Sequence, residues 1–92
     1  MLNTEDEVEK INILNSIGDA LIEQEKDSAD IYYNQGLQIA NNLLLEEQND
    51  SLLYKINLYK ANILSGLGYV SYLNFKYKNS KNLYLKHKKK LV

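Results

Sequence analysis

His87 is the single histidine of a 92-residue chain without cysteine, which narrows the available acid–base, nucleophilic and metal chemistry. A histidine base needs a partner that orients it and a nucleophile within hydrogen-bond reach. His87 instead sits among Lys86, Lys88, Lys89 and Lys90, and no acid follows Asp50. Like charge so close disfavours the protonated imidazole, so His87 reads as a solvated residue near a helix end. With one histidine, no thiol and no H-E-x-x-H or EF-hand pattern, no metal site is expected. Glu23 and Asp27 resemble an acid–base pair only in type, because nothing around them signals a pocket that would perturb them. The acids Glu5, Asp6, Glu7 and Glu9 suit the positive end of a helix dipole. Neither enzymatic activity nor a cofactor is expected.

Two other constellations bear on binding. Lys76, Lys78, Lys81, Lys86, Lys88, Lys89 and Lys90 alternate with Phe75, Tyr77 and Tyr84, a pattern that can meet phosphates and stack on bases. Arginine is absent, so bidentate recognition of phosphate or base edges is not available. The charge is also divided. Residues 1–50 carry all 12 acids and two lysines, a net −10, whereas residues 51–92 carry nine lysines and no acid. Such halves attract, within one molecule or head to tail between molecules, and salt weakens that attraction.

These groups must be held by helices. The chain has no proline, the strongest helix breaker, and no strand pattern competes. Thr4 and Glu7 form a capping box, and Val8, Ile11, Leu14, Ile17 and Leu21 recur at helical steps, which predicts a first helix over about 4–24. Asp27 or Ser28 can cap a second, running to about 46, with Ala29, Tyr33, Gly36, Leu37, Ala40 and Leu44 inward. Asp50 or Ser51 can cap a third, over about 51–73, with Leu52, Leu53, Ile56, Tyr59, Ile63, Leu67, Val70 and Leu73 along it. The polar stretch 74–79 then predicts a turn into a fourth helix from Ser80. Short connectors make successive helices antiparallel neighbours. The expectation is one all-α domain of four helices, paired as hairpins over about 4–46 and 51–91. No apolar run is long enough to span a membrane, and Thr4-Glu5-Asp6-Glu7 is unlike a signal peptide, so a cytoplasmic protein is expected.

Leu64, Leu67, Gly68, Ser71 and Tyr72, then Ser80, Tyr84 and His87, resemble the helix–turn–helix unit of tetratricopeptide (TPR) repeats. Leu14, Ile17, Gly18 and Leu21, then Ala29, Tyr33 and Gly36, resemble a first unit. The glycines lie 50 residues apart, against about 34 in the standard repeat, the usual closing proline is missing, and His87 stands where a small residue belongs. The resemblance implies two stacked hairpins, with Gly18 packed near Ala29 and Gly68 near Ser80. It also implies a protein–protein interaction module whose first helices line a concave face. Carried over by position, the peptide-binding row is Asn12, Asn15 and Asp19 in the first unit, and Asn62, Ser65, Tyr69 and Tyr72 in the second. Asparagine both donates and accepts, which suits gripping the backbone of an extended segment. The alternative is a lysine-rich C-terminal half that binds nucleic acid or another polyanion, or drives self-assembly by charge.

Overall fold

A computed structural model describes the backbone over residues 4–91 and the side chains over residues 4–79. It contains three helices: α1 (Thr4–Leu21), α2 (Lys26–Leu44) and α3 (Asp50–Leu91). All three pack against one another, with α2 antiparallel to α1 and α3.

The four-helix expectation is overturned at residues 74–79. The turn placed there is absent, and α3 runs unbroken for 42 residues, about 63 Å at 1.5 Å per residue. Asn74, Asn79 and Ser80 each disfavour a helix by no more than about 0.7 kcal/mol, against about 3 for proline. The intervening phenylalanine, tyrosine and lysines tolerate a helix well. A polar stretch without proline or glycine therefore does not end one, and the second hairpin does not form. Tyr84 and His87 belong to α3, and their side chains lie outside the described residues, as does that of Ser80.

Helix ends differ in detail from expectation. Thr4 is the first residue of α1, so its capping position falls at residue 3, outside the described residues. Asp27 and Ser28 lie inside α2, whose N-cap is Glu25 without a side-chain bond. The turn before it is closed by the Gln24 and Glu25 N–H groups donating to the Leu21 carbonyl at 3.1 and 2.7 Å. Asn49 caps α3: its Oδ1 accepts from the Leu52 N–H at 3.1 Å, satisfying one of the free donors of the first turn.

The core is the set Val8, Ile11, Leu14, Ala29, Tyr33, Ala40, Ile56, Ile63 and Val70. On α3 it recurs every seven residues, which keeps one seam of the helix against the α1–α2 hairpin. Gly36 lets the helices close: a Cβ there would stand 2.7 Å from Ile63 Cδ1 and 3.4 Å from Leu14 Cβ. Gly18 and Gly66 do the same around the ring of Tyr33. A Cβ at Gly18 would lie 2.5 Å from the ring Cε1, and one at Gly66 2.7 Å from the hydroxyl oxygen. Gly18 therefore meets Tyr33, and Gly68, expected to receive Ser80, faces open space with no described atom within 4 Å. No described helix is long and apolar enough to cross a membrane.

Candidate functional site

Two stripes of polar residues face each other where α1 and α3 run side by side. Asn15 and Asp19 are one turn apart on α1, and Asn62, Ser65, Gly66 and Tyr69 follow at three- and four-residue steps on α3, so each set shares a helix face. With Ile22 and Tyr33 they line a cleft of about 440 Å³. Five of the seven residues of the expected binding row thus share one cleft. The other two are adjacent rather than lining. Asn12 is half-buried on α1, and Tyr72 stacks on Tyr69 with ring centroids 6.0 Å apart and planes 21° from parallel.

Tyr33 belongs to α2, on the far side of the α1–α3 seam, yet it forms the floor. Its ring is fully buried and passes between the two glycines that lack a Cβ to block it. Its hydroxyl, buried with the ring, donates to Asp19 Oδ1 at 2.6 Å. Sequence reasoning assigned Tyr33 to packing alone and missed this polar end. The signal for it was the pair of glycines, one on each flanking helix, whose common neighbour is a large ring.

Asn15 is 6% exposed, and its Oδ1 is buried without a hydrogen-bond partner. A buried acceptor left unmade costs about 1–3 kcal/mol. Among the described residues, Asn15 is the cleft's one buried unsatisfied side chain. Tyr69 closes one rim by donating to Glu23 Oε1 at 2.8 Å, and Tyr59 contacts Glu9 Oε1 at 3.4 Å further along the seam. None of the described lining residues is basic.

Burial raises the pKa of Tyr33 well above its ordinary value, and the hydrogen bond and charge of Asp19 add to the shift. Tyr59 is raised by burial and then by Glu9, and Tyr69 chiefly by its bond to Glu23. All three stay protonated near neutrality and act as donors, not bases. Their folded-state pKa values exceed those of the unfolded chain, so their contribution to stability is intact below about pH 10 and lost as pH rises beyond it. Urea midpoints should accordingly fall between pH 9 and 11, and Tyr33→Phe should flatten that fall. An equally steep loss in the variant would place the titration elsewhere.

A larger notch of about 610 Å³ lies between the α1–α2 turn and α3, lined by Glu23–Ser28 with Leu73, Lys76 and Tyr77. Its groups are already engaged or solvated: Lys26 Nζ sits 5.4 Å from the Tyr77 ring centroid and 4.0 Å from Asp27. It presents no buried unsatisfied atom, so the smaller cleft is the stronger candidate. Among the described residues, no group of three His, Asp or Glu side chains is placed to hold a metal ion. Compared with models of protein families, with curated protein sequences and with solved structures, the chain matches none.

Proposed function

We propose that this chain is a non-enzymatic interaction module that takes a peptide or protein segment in the cleft between α1 and α3. The observation that carries this reading is the buried, unpartnered Asn15 Oδ1. A folded chain tolerates such an atom at a cost, and a bound segment that turns the Asn15 amide toward itself in the cleft offsets that cost. Asn62 and Ser65, both exposed, supply further donors and acceptors along the cleft edge. The protonated tyrosines offer no base, which favours binding over reaction.

Selection of peptides from a displayed library against the purified protein tests this. Selected segments should shift the amide resonances of Asn15, Asp19, Asn62, Ser65 and Tyr69. Ser65→Trp, which fills the cleft from an exposed helix position, should weaken binding by about tenfold or more (about 1.4 kcal/mol) without lowering the melting temperature. Failure to select any segment, or binding that ignores Ser65→Trp, would overturn the reading.

A second reading keeps one specific support. Phe75 and Tyr77 are each 65% exposed, and both alternate with Lys76 and Lys78. Aromatic faces between cations suit a single-stranded polyanion. Under that reading, oligonucleotides should shift resonances in residues 75–79 and lose affinity steeply as salt rises, and Ser65→Trp should change nothing.

A further inference from the structure

We propose that the outer face of α3 pairs with the same face of a second copy of this chain, the two helices running antiparallel. Tyr54 and Leu58 begin a row that continues through Ala61, Ser65 and Gly68 to Tyr72 and Phe75. Its four- and three-residue steps keep it on one stripe, opposite the buried Ile56, Ile63 and Val70. The same steps form the apolar seam along which two helices wrap. Every position of the row is exposed, and its four large side chains are 45–70% exposed. The row extends for about 32 Å at 1.5 Å per residue, and an uncovered apolar strip of that length marks an interaction surface.

Charge selects the occupant and its direction. Asp50 stands at one end of the row and Lys76 at the other, both exposed. An antiparallel second copy sets Asp50 beside Lys76 at both ends, whereas a parallel copy sets like charge beside like. That register also lays Tyr54 on Tyr72, Leu58 on Gly68 and Ala61 on Ser65. Each contact occurs twice, as a two-fold interface requires. Phe75 reaches the level of Ser51 on the second copy. There Asp50, Ser51, Tyr54, Lys55, Leu58 and Tyr59 line a hollow of about 540 Å³. Gly68 gains a reason as well. Glycine is disfavoured inside a helix, and no described atom of its own chain lies within 4 Å of a Cβ built there. Leu58 of the second copy is the close neighbour that a helical glycine accommodates. Ser65 borders both this face and the cleft, but Tyr54, Leu58 and Gly68 do not line the cleft. The pairing therefore stands or falls independently of the cleft-binding reading.

Sedimentation equilibrium of the full chain, from micromolar to millimolar concentration, tests this. The expected result is a monomer–dimer equilibrium that stops at the dimer and weakens as salt rises. Alanine is small enough to sit opposite Leu58 at position 68, and leucine is not. Gly68→Leu should therefore weaken dimerisation at least about tenfold. The melting temperature of the dilute monomer should not fall, because the position is open within the chain. Adding Leu58→Ala to Gly68→Leu exchanges the large and small partners and should restore the dimer. Asp50→Lys and Lys76→Asp should each lose dimerisation alone, and an equimolar mixture of the two variants should recover it as a heterodimer. A chain that stays monomeric at millimolar concentration would overturn the proposal, as would a dimer indifferent to Gly68→Leu. Growth beyond the dimer would reject the two-fold pairing in favour of head-to-tail chains. A Gly68→Leu dimer that Leu58→Ala fails to restore, or variants that do not complement on mixing, would reject the antiparallel register.

Discussion

Replacing Gly66 with alanine is expected to destabilise the protein by about 1–3 kcal/mol, the usual cost of forcing atoms into a filled core. The same substitution two residues on, at Gly68, is expected to stabilise it by up to about 1 kcal/mol. The difference follows from what each Cβ would meet. At Gly66 it would stand 2.7 Å from the Tyr33 hydroxyl oxygen, and at Gly68 it would meet nothing described within 4 Å. Only the helix preference of alanine over glycine then acts at Gly68. The Tyr33 ring has little room to retreat, because it is fully buried and a Cβ at Gly18 would also stand 2.5 Å from its Cε1. Gly18→Ala should therefore behave like Gly66→Ala. Truncating the ring itself, Tyr33→Ala, belongs with large aromatic-to-alanine changes, which cost about 3–5 kcal/mol. In that background the Gly66→Ala penalty should vanish, a coupling that a double-mutant cycle in urea reads directly. Equal effects of alanine at positions 66 and 68 would show that the ring does not lie between the two helices.

The same two glycines mark how far the sequence could be read. Local periodicity named the inward positions well: Val8, Ile11 and Leu14 on α1, Ala29, Tyr33, Gly36 and Ala40 on α2, and Ile56, Ile63 and Val70 on α3 are all buried. Those positions follow from 3.6 residues per turn and need no knowledge of the neighbours. The choice between Gly66 and Gly68 was open to the same reasoning, since Gly66 completes the Ile63–Val70 stripe and Gly68 lies on the opposite face. The repeat resemblance drew attention to Gly68 instead.

The missing fourth helix has another cause. Whether Asn74–Asn79 turns or stays helical depends on small preferences that a few good helix formers outweigh, so polarity alone misread a continuous helix as a connector. In the candidate site, Asn15, Asp19, Asn62, Ser65 and Tyr69 were legible as stripes on two helices. The Tyr33 hydroxyl was not, because its position beside Asp19 exists only once α2 is docked across the seam. Nor could the lack of a partner for Asn15 be read from residues alone.

Asn15 is also where stability and binding should separate. Leucine matches asparagine in the number and branching of its side-chain heavy atoms, but it has no acceptor to leave unsatisfied. Asn15→Leu should therefore raise the unfolding free energy by about 1–3 kcal/mol, the penalty of the orphaned group, while abolishing binding of segments selected against the unaltered protein. A residue kept for structure would do the reverse, since its replacement would remove interactions that hold the fold. The most direct measurement is the urea unfolding free energy of Asn15→Leu beside that of the unaltered chain. A more stable variant that no longer binds is the predicted result. A less stable variant would mean that Asn15 already has its partner within the fold, and would contradict a cleft built to receive one.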